Sequence, residues 1–226
     1  MRGWSRWGLL LALVVGFGLR VYQLGGQDLW GDEGFTTYVI SLPWSQVLTP
    51  GTDTHPPLYY ALLKLWAGLV APPPGLPQSE FALRFLSAAV SLPMLPLAYL
   101  AAAWLFGRRA GLLAAWLTAT APVHVYYAQE LRMYALASLL ALASTVCLIG
   151  WLRRGGRWLA AYALVTLLGL YTHYGVFFIL PAHALAVFAA GGSRDKGLGI
   201  NRRSPDRLPP SVLRPPSCPG WALCSP

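Results

Sequence analysis

Charge is scarce in this chain. Only 11% of its 226 residues are Asp, Glu, Lys or Arg, while 56% are hydrophobic and the mean hydropathy is +0.50. A soluble domain of this size has no interior large enough for so much apolar surface, so the bilayer is the expected solvent. Cysteine is nearly absent. Cys147 lies in an apolar run and Cys218 and Cys224 near the end, with neither metal-ligand spacing nor a disulfide framework. There is no internal repeat. Lys and Arg are missing altogether from Val21 to Leu63. The formal charge of +9 sits in short clusters between apolar runs, without the aromatic-interleaved basic face that nucleic acid needs.

What is present is a series of apolar stretches, at 7–24, 84–106, 110–125, 134–152, 158–172 and 174–190. Most approach the ~20 residues that cross a ~30 Å hydrocarbon core. They predict an all-α integral membrane protein with about six spans. Ten Trp and eleven Tyr suit many crossings of the membrane interface. The first stretch is expected to remain as an uncleaved span, because Gly25-Gly26-Gln27 is a poor cleavage site and Arg20 interrupts the apolar region.

Orientation follows from the basic clusters. Arg2 and Arg6, Arg108 and Arg109, Arg153, Arg154 and Arg157, and Arg194, Lys196, Arg202 and Arg203 belong in the cytoplasm by the positive-inside rule. Two crossings then separate consecutive clusters, so His55–Ala71 becomes a helix in the outer interface with Lys64 snorkelling toward water. Residues 25–83 form one long external loop holding Asp28, Asp32, Glu33 and Asp53. His124–Met133 is the second external loop and Thr172-His173-Tyr174 the third. From Gly191 the chain turns basic and Pro-rich, which predicts a disordered cytoplasmic tail, 191–226, of the kind that a shifted reading frame or early truncation produces.

The external loops carry the candidate chemistry. Trp30-Gly31-Asp32-Glu33-Gly34 sets adjacent carboxylates beyond the first span, where a general base would meet a lipid-borne substrate. Thr54-His55-Pro56-Pro57 places His55 before a proline-started helix. Gln129-Glu130-Leu131-Arg132 is a polar insert between apolar spans, and His173 reaches the same face from the third loop. Each also has a plainer reading. The acids can be solvated loop charges, His55 an exposed ring, Glu130 and Arg132 a mutual pair, and His173 an interfacial hydrogen-bonding group.

Taken in order, WGDEGFTTY, DTHPPLYYALLKLW, SEFALRFLSA, FGRRAGLLAAWL, APVHVYYAQELRMYAL and GLYTHYGVF resemble bacterial GT-C glycosyltransferases of the protein-mannosyltransferase-like branch (family 39), relatives of the lipid A aminoarabinose transferases. The resemblance covers residues 5–190. It implies a GT-C transmembrane module that takes sugar from a polyprenyl-phosphate carrier and passes it to a lipid, glycan or protein acceptor on the outer face of the cell membrane. It implies Asp32 as the catalytic base, with Arg132 and His55 at the departing phosphate. Glu33 and Glu130 would orient the acceptor or hold a divalent cation, and His173 matches a position near the donor phosphate. Relatives continue for several more spans, so the 1–190 module is expected to be incomplete and the chain by itself inactive. The rival expectation is a non-catalytic membrane component or lipid-linked-sugar transporter whose cavity these same residues line.

Overall fold

The computed structural model describes residues 2–49, 53–73 and 79–195, without the side chains of 2–5 and 192–195. The described residues are all-helical, in eleven α-helices and one 3₁₀ turn. In chain order the helices are α1 (Arg2–Val21), α2 (Gly31–Ser41), α3 (Trp44–Val47), α4 (Leu58–Leu69), α5 (Glu80–Ser91), α6 (Met94–Phe106), α7 (Arg108–Thr120), α8 (Pro122–Gln129), α9 (Tyr134–Arg154), α10 (Trp158–Leu170) and α11 (Ile179–Asp195). The 3₁₀ turn, Tyr174–Phe178, leads into α11.

Three helical stretches are long and apolar enough to cross a membrane: Glu80–Phe106, Tyr134–Arg154 and Tyr174–Gly191. The other expected crossings are more complicated. The run expected at 110–125 breaks at Ala121-Pro122, because a proline ring cannot continue α7 but fits the first position of α8. Helix α10 has 13 residues, which at 1.5 Å per residue reaches only about 20 Å. Helix α11 continues to Asp195, past the boundary expected at Gly191. The rest of the expected tail lies outside the described residues.

Between α1 and α5, the described residues contain only short helices, as expected of a loop. Helix α4 has 12 residues, about 18 Å. It is not merely adsorbed at an interface, however. Val39 of α2, Val47 of α3, Tyr59, Tyr60 and Leu63 of α4, and Leu83, Leu131, Met133 and Leu136 form one buried apolar cluster. Tyr59 OH and Ser87 Oγ share a buried hydrogen bond of 2.9 Å, and Trp66 Nε1 donates to Ala82 O at 2.7 Å. The snorkelling expected of Lys64 is corrected here. Its ammonium donates to Ile40 O at 2.6 Å and Leu42 O at 2.7 Å, and lies 5.4 Å from the Trp44 ring. The C-terminal carbonyls of α2 lack helical partners and carry partial negative charge, so they hold a cation.

The long helices form a bundle with two distinct ends. At one end, Gly107 (φ 94°) turns α6 into α7 and Gly155 (φ 70°) turns α9 into α10. A Cβ on Gly111 would sit 2.7 Å from Tyr99 O, so glycine is what lets α7 approach α6 so closely. This end carries the expected cytoplasmic arginines. The Arg154 guanidinium lies 5.1 Å from the Trp104 ring centre, Trp104 and Trp158 meet edge to face at 5.8 Å, and Arg153 donates to Trp104 O. In mid-bundle, Arg20 of α1 is wholly buried. It donates to Ser91 Oγ (2.8 Å), Gly16 O (3.0 Å), Ala119 O (3.1 Å) and Thr118 O (3.2 Å), which ties α1 to the last turn of α7. The opposite end gathers the polar loops.

Candidate active site

The site is built around a buried ion pair that sequence reasoning passed over. Arg84 stands on α5 and is almost fully buried. Its guanidinium binds Glu33 through Nε (3.0 Å to Oε1) and through Nη2. The same guanidinium donates to Leu24 O (3.2 Å), Gln27 O (2.7 Å) and Asp28 O (3.3 Å), so it also folds the turn between α1 and α2. Glu33 Oε1 further accepts Leu131 N–H at 2.8 Å, and Oε2 accepts Trp30 N–H at 3.4 Å. One carboxylate therefore fastens α2, α5 and the α8–α9 connection together. A charged residue inside an apolar run was the available signal for Arg84, since such a residue is expensive unless it has a partner.

This arrangement assigns different positions to the two adjacent acids. Helical phase turns Glu33 into the protein, where it is 1% exposed, and turns Asp32 outward, leaving its side chain 55% exposed. Glu33 has no free face for a substrate or an ion, so the expectation of direct substrate contact does not suit its surroundings. Asp32 is free, and it stands in the first turn of α2, where the helix dipole favours an anion. Arg132 lies beside it. Its Nη2 is 3.9 Å from Asp32 Oδ2, while Nη1 donates to Asp32 O (3.3 Å) and Thr36 Oγ1 (3.2 Å).

Glu130 and Arg132 are both buried, and each keeps one polar atom without a partner among the described residues, Glu130 Oε2 and Arg132 Nε. Burial pushes the Glu130 carboxyl above the usual carboxylate range. The Tyr126 hydroxyl and Arg132 pull it down, whereas Glu33 and Asp32 add to the rise. A buried polar atom without a partner is costly to keep.

His55 and His173 meet although 118 positions separate them in sequence. Their rings stack at 5.1 Å with planes 29° apart, and Tyr134 lies 5.7 Å from His173. Leu58 N–H donates to Tyr171 O at 3.3 Å, joining the two segments. His173 Nδ1 accepts Gly175 N–H at 2.8 Å. Burial, helped by His55 and Arg132, holds the His173 imidazole below its ordinary value. The three loops expected to converge therefore do meet, Asp32 with Arg132 and His55 with His173. Asp53 and Tyr60, which sequence reading did not single out, belong to the same end, because Asp53 accepts hydrogen bonds from both His55 and Tyr60.

The possible divalent cation finds a poor donor set. No group of three or more His, Cys, Asp or Glu gathers among the described residues. The Glu33 oxygens are occupied by cationic and N–H donors, and Glu130 lies next to Arg132 in the field of its positive charge. No step is therefore assigned to a metal.

An all-helical bundle with membrane-length apolar helices, in which Asp32 meets Arg132 and His55 meets His173 at one end, is that of a membrane protein with a polar site at that end. Residues 54–197 match the dolichyl-phosphate-mannose-protein mannosyltransferase family, and since this is more than half of the chain, the protein belongs to that family and is a GT-C-type, glycosyltransferase-like membrane protein. The match includes His55, Glu130, Arg132 and His173 and begins after Asp32 and Glu33. No curated protein and no solved structure matches the chain.

Proposed function

We propose that this protein transfers a sugar from a polyprenyl-phosphate donor to an acceptor hydroxyl at the outer face of the cell membrane. The observation that carries the reading is the division of labour between neighbouring acids. Glu33 is locked by Arg84, and Asp32 is left exposed beside Arg132. Asp32 is the base. It takes the acceptor proton as the hydroxyl oxygen bonds to the anomeric carbon, and the bond from that carbon to the phosphate oxygen breaks with its electrons going to the phosphate. The anionic leaving group needs fixed donors where its charge develops. Arg132 and His55 fill that role, with His173 alongside. Glu130 lies at the same end and orients the acceptor through its unpartnered oxygen.

The topology belongs to the same proposal. The arginine-rich end faces the cytoplasm and the site faces outward, in keeping with the positive-inside rule.

Asp32→Asn in proteoliposomes supplied with labelled polyprenyl-phosphate sugars and a membrane-lipid acceptor extract tests the base. Transfer should fall by at least about 100-fold, because the amide keeps the shape and loses the basicity. Donor binding should persist, and Asp28→Asn should do much less. Unchanged transfer by Asp32→Asn removes the base assignment. Lost binding or flux without any glycosyl product in the wild type marks a lipid-linked-sugar transporter instead.

A further inference from the structure

Asp53 sits at the centre of a small hydrogen-bonded hub immediately before α4. Its Oδ1 accepts Thr54 N–H at 2.6 Å and the Thr54 hydroxyl at 3.1 Å. Its Oδ2 accepts the Tyr60 hydroxyl and stands 3.1 Å from His55 Nδ1. The side chain is 12% exposed. Burial works to raise the Asp53 carboxyl, but the hydrogen bonds from Tyr60, His55 and Thr54 outweigh it and hold the group below its usual range. Burial and the Asp53 contact push the Tyr60 phenol far up, so it keeps its proton and donates it toward Oδ2.

An ionised carboxylate only accepts. His55 Nδ1 must therefore carry the hydrogen, and Nε2, on the far side of the ring, points away from Asp53 with no hydrogen-bond partner among the described residues. In the stacked partner ring the assignment is reversed, because His173 Nδ1 accepts from Gly175 and its hydrogen lies on Nε2. The two rings differ in charge balance as well. His55 Nδ1 faces the Asp53 carboxylate at 3.1 Å, whereas His173 faces His55, Tyr134 and Arg132 with no carboxylate partner among the described residues.

We propose that Asp53 is a positioning residue that fixes the ring and charge of His55, so that His55 grips a phosphate oxygen through a protonated Nε2. The proposal rests on the reading of this end as the site for a phosphate-linked sugar. The groups in contact with His55 are Asp53 at 3.1 Å and the Thr54 hydroxyl at 3.3 Å, both at Nδ1, and the stacked His173 ring from the turn after α10. Of these, only Asp53 contributes negative charge. Tyr60 keeps the carboxylate turned toward His55.

The test measures binding of a polyprenyl phosphate without sugar to the chain in nanodiscs. Asp53→Asn should weaken binding about tenfold, the weight of one hydrogen bond to a charged group. Asp53→Glu should restore part of the loss, and Tyr60→Phe should have a smaller effect. In a His55→Gln background, Asp53→Asn should add nothing. Additive losses, or Asp53→Asn binding as tightly as the wild type, overturn the positioning role while leaving the phosphate site intact. A wild type that binds no polyprenyl phosphate overturns the site reading and this proposal together. Nitrogen-15 NMR of labelled histidine gives an assay independent of binding. The His55 resonances, assigned by loss in His55→Gln, should show a protonated Nδ1 in the wild type and a changed tautomer mixture in Asp53→Asn, and an unchanged mixture counts against the role.

Discussion

The two ends of the bundle treat arginine in opposite ways. At the site end, Arg84 is locked to Glu33 and three carbonyls, and Arg132 is held to the first turn of α2. At the other end, Arg154 rests on tryptophan faces, with no carboxylate partner among the described residues. A guanidinium on an aromatic face at an interface is weakly committed and serves orientation. A guanidinium buried against a carboxylate is costly to desolvate, and it gives geometry in return. The difference separates an end of fixed geometry from an end of loosely held charge.

Breaking the locked end should have the largest effect on stability. Glu33→Ala leaves Arg84 buried without its counter-charge and frees Leu131 N–H, so it should lose on the order of 3–5 kcal/mol, read as thermal unfolding in detergent. A change within about 0.5 kcal/mol would show that the pair is not structural. Next comes Arg132→Lys, which keeps the charge and loses the planar fork. Donor affinity should fall about tenfold if two parallel hydrogen bonds grip the phosphate, with little change in unfolding temperature. Lys and Arg binding donor equally while Ala binds weakly would show that charge alone suffices. The smallest effect belongs to the other end. Arg154→Ala should cost only about 0.5–1 kcal/mol, the weight of a cation–π contact, and should leave donor affinity unchanged. A loss of donor affinity there would dissolve the contrast between the ends.

Much of this organisation was legible in the sequence, for reasons that also mark where legibility stopped. Apolar runs announce helices because the bilayer selects for length and hydropathy, and alternating basic clusters told which loops would share an end. The convergence of Asp32 with Arg132 and of His55 with His173 followed from that alternation. Adjacent acids look alike in a sequence, but about 100° of helical phase separates the free Asp32 from the buried Glu33. Lys64 was misjudged because its partners, Ile40 O and Leu42 O, are backbone groups that any residue could have supplied. Asp53 was one acid among four until the fold brought Tyr60 and His55 to it. Arg84 stood in view inside an apolar run, and the question of its partner was the one left unasked.

Arg20 has a consequence for how the protein is made. With α1 read as a span, it is made before α5 and α7, yet three of the four acceptors of its arginine, Ser91 Oγ, Thr118 O and Ala119 O, lie 71, 98 and 99 residues further along the chain. An arginine within a membrane is costly without partners, and Arg20, in the last turn of α1, has only Gly16 O to hand until those later helices arrive. Helix α1 should therefore linger near the insertion machinery, and chains interrupted before Thr118 should release it poorly into lipid. The order of synthesis thus places a checkpoint between α1 and α7, before the polar end of the bundle can close.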